Sequence, residues 1–545
     1  MLIAHCFILA TLSTLFLLLA LSSGTYFSNL LKLNVTDPSM RICLGLTPLL
    51  ICLFYAQETH FAIPLVIGWY FISACFLLWF GLRLFINRDR TVRNQILDLI
   101  TSSVLVSVIY GVFSEGGELA TFLNNDIYSW YSVASTLIEK ARFTSMGPLM
   151  NEEWKTFPLN GYGTNWMLAI IGLFFDEPIK SSVLFLVITS TWLSLIFQWQ
   201  LVELFALRRS SVRLLSVLPM TSSFFIYIAF NSFFAQILGT IGSALLLSAF
   251  IRIYNQPNLS ARERVLFISI PVLWSLIVYQ SGFVVFQLVP IGLVGCLFLF
   301  SDSINKGLKK FSTQILKPYL MCVLLIGLIL PTLIIYLVNQ TLFVSNVVAG
   351  WPLPLLAANS FLALPWPARN LWLFGGATTS QQLRGYGLLL VGLVGIYNVG
   401  KKHGPIEEFR RLRAMWIGYI LLILSYLSWF FFREPSYQCW KFASFFIFSS
   451  SALPLGTIAR IFNFFDNKTR NFISAHFPWN LLKRFGLASM LLFLVWINLI
   501  EPYQRKIKLR SQINQLVLIR QSLEPDSRVN LDLVLTRKAC YLAIS

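Results

Sequence analysis

The sequence predicts an all-α, polytopic membrane protein, and three observations carry that reading. Only 12% of its 545 residues are charged and 57% are hydrophobic, whereas a soluble globular chain carries roughly 25% charged residues. Too little polar surface remains to cover a soluble particle of this length. Apolar runs long enough to cross a bilayer recur along the chain, in place of the short alternating segments of a β-barrel. Lys and Arg collect in short stretches between those runs, as cytoplasmic loops require. The net charge of +19 therefore reads as membrane topology and not as nucleic-acid binding.

Taken in order, runs near 2–22, 41–57 and 61–86 lead to Arg83, Arg88, Arg90 and Arg93. These arginines fix that loop as cytoplasmic and place the start of the chain outside. The first run has no basic flank and reads as a retained helix, not a cleaved signal. Run 97–113 then exits into Glu115–Asn165, the longest polar interruption of the first half, which gathers Glu115, Glu118, Asp126, Glu139, Glu152 and Glu153. The next run, 162–175, is short and is followed by Asp176, Glu177 and Pro178. Run 181–205 ends at Arg208, Arg209 and Arg213. Only one of those two runs can cross if the arginines are cytoplasmic, so 162–175 is expected to be a juxtamembrane or re-entrant helix on the outer side.

Runs 212–230, 235–251, 265–280, 283–301, 318–338, 386–400, 414–431, 442–459 and 485–499 then alternate. Their basic turns hold Arg252, Arg262 and Arg264, then Lys306, Lys309, Lys310 and Lys317, then Lys401 to Arg413, then Arg460 to Arg484. The sum is a helical bundle of about 13–14 spans at ~20 residues each. It forms a transmembrane domain over 1–500, with juxtamembrane helices in a large external loop at 114–180 and a second external loop, rich in Pro and Trp, at 339–385. The tail, 501–545, is basic yet placed outside by the count. Either it is a small external subdomain or the count is off by one near the end; 511–523 reads as a short amphipathic helix and 528–535 as a strand. No internal repeat of the transporter kind is visible. The eight cysteines have no metal-ligand spacing; Cys439 and Cys540 are the pair that shares the outer side.

That outer side collects the residues able to do chemistry. Asp126 follows Asn124 and Asn125 and opens an amphipathic helix at 126–141, with Ile127, Tyr131, Ala134, Leu137 and Ile138 on one stripe. The helix dipole there favours an ionised carboxylate, so Asp126 is either a first-turn acid or a reacting one. Glu115 and Glu118 read as solvated loop acids. Glu152 and Glu153 read the same way, or as ligands of a divalent metal or a sugar. Lys441, beside Trp440 and Tyr437, is an interfacial anchor by one reading and a phosphate ligand by the other. Arg433, Arg369 and Arg384 on the same face favour an anionic ligand. Tyr279, Gln280 and Gln236 satisfy either helix–helix hydrogen bonds or a ligand. Trp351, Pro352, Pro354, Pro365, Trp366 and Pro367 anchor at the interface or line an acceptor groove.

Four segments carry a family resemblance: NNDIYSWYSVASTLIEKARF (124–143), FPLNGYGTNWMLAIIGLFF (157–175), NSFFAQILG (231–239) and SYQCWKFASFF (436–446). Their order along a multi-span bundle resembles the C-type (GT-C fold) membrane glycosyltransferases, which use polyprenyl-phosphate sugars as donors. The resemblance implies that Asp126 is the catalytic acid/base residue and that Lys441 or Arg433 binds the lipid phosphate. Arg384, Tyr437, Tyr128, Tyr162 and Gln280 would complete the substrate site. It implies transfer with inversion to a glycan, lipid or protein acceptor on the extracytoplasmic face of a plasma or inner membrane, in glycan biosynthesis of the cell envelope. The partners are membrane lipid and a polyprenyl-phosphate sugar, with no nucleic acid. Three extra spans precede the acidic loop here, and no DxD motif follows Asp126, so a divalent metal stays an open cofactor. A polysaccharide polymerase or ligase acting on lipid-linked sugars would instead use Arg369 and Arg384. A lipid or oligosaccharide transporter would carry charge near the midplane, where most of these spans have none.

Overall fold

The computed structural model describes residues 2–111, 162–339 and 406–460, apart from short breaks within each, and a few positions between them. All regular structure among the described residues is helical. The first four helices are α1 (Leu2–Leu30), α2 (Pro38–Ala56), α3 (Ala62–Asn87) and α4 (Arg90–Gly111). Then follow α5 (Tyr162–Gly172), α6 (Pro178–Phe205), α7 (Arg209–Leu215), α8 (Ser223–Phe230), α9 (Phe234–Asn255) and α10 (Ala261–Val278). The last five are α11 (Phe283–Ser301), α12 (Ile304–Phe311), α13 (Lys317–Ile329), α14 (Ile406–Phe432) and α15 (Tyr437–Ser449). Among the described residues nine helices are long and apolar enough to cross a membrane, or ten if the bent pair Cys439–Ser449 and Ala452–Arg460 is one span. The chain is an integral, multi-pass membrane protein. Run 485–499, most of run 386–400 and the whole tail lie outside the described residues.

In lipid every backbone N–H and C=O needs an internal partner, which a helix supplies. Side chains then decide position. α9 is buried along its whole apolar length and α6 along nearly all of its own, and they form the centre, whereas α3 is mostly exposed and faces outward. Polar side chains bind the central helices together. Trp192 Nε1 donates to the Ser39 carbonyl at 3.1 Å, Trp274 Nε1 to the Leu238 carbonyl at 3.0 Å and Trp69 Nε1 to the Gly45 carbonyl at 3.1 Å. Gln198 donates to Ser102 at 2.7 Å, and Ser194 bonds both Ser102 and Ser216. Such bonds replace the hydrophobic drive that helices lose in lipid. α1 and α2 cross at Gly24 and Gly45, where an added Cβ would overlap the Arg41 and Ala20 carbonyl oxygens respectively.

Three expected spans differ from their predictions. The helix leading into 318–338 already begins at Ile304 and breaks at Leu330, so Lys306 to Lys317 are helical and not a loop. Run 442–459 is the bent pair, and 212–230 is interrupted. The run 212–230 is not one helix but α7, a 3₁₀ turn at Leu218–Thr221 and α8. Pro219 occupies the 3₁₀ turn, and the Ser222 hydroxyl accepts from the Phe225 N–H at 3.2 Å to start α8 afresh. Hydropathy sees the apolar run but not the break.

The basic residues meet at one end. Arg213 pairs with Asp98 at 2.6 Å. Arg252 donates to the Asn34 carbonyl and to Thr36 Oγ1, and its guanidinium lies 4.6 Å from the Phe267 ring. Gln95 Nε2 donates to the Thr36 carbonyl at 2.8 Å. Arg411 donates to Asn255 Oδ1 at 3.0 Å, and Asn255 donates to Glu203 at 3.3 Å. Ser260 and Glu263 form a capping box that starts α10. Asp37 caps α2 by accepting from the Ser39 N–H at 2.9 Å. Burial pushes the Asp37 carboxyl up to about 6, against the pull of the Ser39 N–H and of Arg252.

Candidate functional site

At the opposite end, the last residues of α10, the first turns of α9 and α15, and α5 converge. Tyr279, the residue after α10, is buried, and its hydroxyl accepts from Lys441 Nζ. Nζ lies 5.0 Å from the ring centroid. The ammonium is thus held by the hydroxyl and lies within cation–π reach of the same ring. The second turn of α15 is held in place from beneath: Ser444 Oγ donates to the Lys441 carbonyl at 2.7 Å and itself accepts from Gln236 Nε2. Tyr279 packs on Phe286 and Phe445, and Trp440 on Phe224. A cation is thereby fixed at the rim of an aromatic wall.

α5 closes the same end. Its 11 residues span about 16 Å, half of a bilayer core. Thr164 Oγ1 donates to the Val278 carbonyl at 2.9 Å, one residue before Tyr279. Tyr70 donates to the Ile170 carbonyl at 2.9 Å. Four polar groups of this half are buried without a partner: Gln236 Oε1, Asn165 Oδ1, Trp166 Nε1 and both amide atoms of Gln287. The exposures of Gln236, Asn165, Trp166 and Gln287 are 2%, 1%, 2% and 3%. A buried orphan costs about 1–3 kcal/mol; the basic end has its own at Asp37 Oδ2, Gln95 Oε1 and Arg252 Nε, so both ends hold polar atoms able to take a ligand or water.

Of the residues singled out from sequence, Lys441, Tyr279 and Gln236 are brought together. Tyr162 begins α5 and Tyr437 begins α15. Asp126, Tyr128, Glu152, Glu153, Gln280, Arg369, Arg384 and Arg433 lie outside the described residues. Among the described residues no three His, Cys, Asp or Glu side chains gather where a metal could sit. Cys439 is buried, with its thiol 3.9 Å from the Tyr426 carbonyl; Cys540 lies outside.

No family model and no curated protein matches the chain. Among solved structures it is similar to the archaeal oligosaccharyltransferase AglB from Archaeoglobus fulgidus in complex with an inhibitory peptide and a dolichol-phosphate. The identity is 13% and the TM-score 0.41, over 82% of this chain and 59% of that one, so the chain spans about three fifths of the structure it matches.

Sequence reasoning missed Ser444, Thr164, Asn165 and Gln287. Ser444 stands three residues after Lys441, the spacing at which one helix face brings two side chains together, and could have been found that way. Nothing in the sequence pairs Gln236 with a serine 208 positions away.

Proposed function

We propose that this chain is a membrane glycosyltransferase that moves a sugar from a polyprenyl-phosphate donor to an acceptor hydroxyl on the extracytoplasmic face. The observation that supports it is the Lys441–Tyr279 pair, braced by Ser444 and Gln236 at the end remote from the basic loops. Holding a half-buried ammonium beside buried amides is costly, and a phosphate-bearing lipid arriving from the side offers those groups a partner. Lys441 neutralises the phosphate as it leaves. Asp126 takes the proton of the acceptor hydroxyl while its oxygen attacks the anomeric carbon. The new C–O bond forms as the bond to the phosphate breaks, the electron pair stays on the lipid phosphate, and the anomeric centre inverts. Tyr128, Tyr162, Gln280, Arg384, Arg433 and Tyr437 complete the proposed site, with Glu152 and Glu153 as ligands if a divalent metal takes part. The acceptor is a glycan, a lipid or a protein.

The test is transfer of labelled sugar from a polyprenyl-phosphate donor by reconstituted protein. Asp126→Asn and Lys441→Gln, each shown to insert as the parent does, are expected to abolish and to weaken transfer. Parent-level rates in both would overturn the reading.

A further inference from the structure

We propose that α12 and the start of α13 form a binding face for anionic phospholipid headgroups at the basic end of the bundle, independent of the reaction above. The two helices run into one another through a π turn at Ser312–Leu316 and together form one apolar helix, Ile304–Ile329. On α12, Lys306, Lys309 and Lys310 fall on one arc of the helix, while Ile304, Gly307, Leu308 and Phe311 fall on the other. Gly307 and Phe311 use part of that apolar arc to pack on α11. An added Cβ at Gly307 would overlap the Phe298 carbonyl oxygen, and the Phe311 and Phe298 ring centroids are 6.0 Å apart. Ile304 and Leu308 are left 65% and 55% exposed beside the lysines. Lys306, Lys309, Lys310 and Lys317 are themselves exposed.

Two features select lipid over a soluble acidic partner. The exposed apolar strip does not stop at α12: it continues through Leu316, Leu320 and Leu324 along α13, so acyl chains can run along the surface that ends in ammonium groups. And no acidic residue occurs between Asp302 and Glu407, so the stretch offers lysines without carboxylates of its own. Apolar and basic arcs side by side at the start of the helix Ile304–Ile329 let the long lysine side chains reach the membrane interface, and clustered lysines at the end of a span attract anionic headgroups.

Full-length protein is reconstituted in nanodiscs of phosphatidylcholine with a minority of phosphatidylglycerol, and the lipid retained after extraction is counted by mass spectrometry. The parent is expected to retain phosphatidylglycerol preferentially, less so as salt rises. K306Q/K309Q/K310Q is expected to lose that preference by up to about fivefold per lysine, whereas K306R/K309R/K310R keeps it. Excess inorganic phosphate is expected not to displace the lipid. Equal retention by the Gln and Arg variants, no salt dependence in the parent, or displacement by inorganic phosphate would each overturn the proposal. Retention of a polyglutamate peptide without phosphatidylglycerol would reassign the face to an acidic protein.

Discussion

The guanidinium of Arg252, near the end of α9, donates to the backbone carbonyl of Asn34 in the turn between α1 and α2. The same side chain also bonds Thr36 and covers Phe267, so one residue ties the first helical hairpin to the centre of the bundle. Arg252→Met removes those bonds from a buried side chain. The expected loss is about 3 kcal/mol, read as a lower apparent melting temperature in detergent. Arg252→Lys, with one compact ammonium in place of a fork, is expected to fall between.

Asp37 makes the same turn sensitive to acidity. Its carboxyl is raised from 3.8 to about 6, so the folded state binds its proton more tightly than the unfolded chain does. The stability that this proton supplies is fully present below about pH 4 and is lost as pH rises through about 6. Asp37→Asn keeps an oxygen for the Ser39 N–H and cannot ionise. The parent is therefore expected to lose up to ~3 kcal/mol across that window relative to the variant, measured as a difference in apparent melting temperature against pH.

The crossing of α1 and α2 tolerates no side chain. Gly45→Ala would drive a methyl group into the Ala20 carbonyl oxygen, forcing the helices apart at an expected cost of about 1–3 kcal/mol. Gly68→Ala, where an added Cβ meets nothing within 4 Å, serves as the control and is expected to match or exceed the parent. Thermal inactivation of the two variants separates a packing effect from a general glycine effect.

Variants around Lys441 should rank by what they remove. Lys441→Gln deletes the charge and is expected to lower kcat/KM for the lipid-linked donor by about a hundredfold. Tyr279→Phe deletes one hydroxyl and is expected to cost about tenfold, as one hydrogen bond to a charged group does. Gln236→Leu loosens only the brace beneath the second turn of α15 and should have the smallest effect. If Tyr279→Phe costs as much as Lys441→Gln, the tyrosine and not the lysine carries the interaction.

Span order and the basic end of the bundle were legible because they depend on local composition. Arg213, Arg252 and Lys306 announce their side of the membrane by their neighbours in sequence, and the helices that end there do so together. The short α5 was also legible, since Arg208, Arg209 and Arg213 leave room for only one crossing between 162 and 205. The break at Pro219 was not, because an apolar window averages over one proline and three hydroxyl residues. Nor was the brace under Lys441. Gln236 and Ser444 belong to segments whose pairing is set by how α9 meets α15, and no local spacing records that. The orphaned amides of Asn165 and Gln287 were invisible for the same reason: in a sequence, a polar residue within a span looks satisfied or unsatisfied only once its neighbours are known.

α5 imposes an order on biosynthesis. It is too short to be handed to lipid as a span of its own, and its polar groups would be stranded there. The helices that enclose it include α9 and α10, which leave the ribosome after it. Until both have been made and have turned back, α5 has nowhere to go but the aqueous side, beside the loop that precedes it. Its insertion between finished spans is therefore a late step, and the half of the bundle that holds Lys441 closes only when the chain is long enough to build its walls.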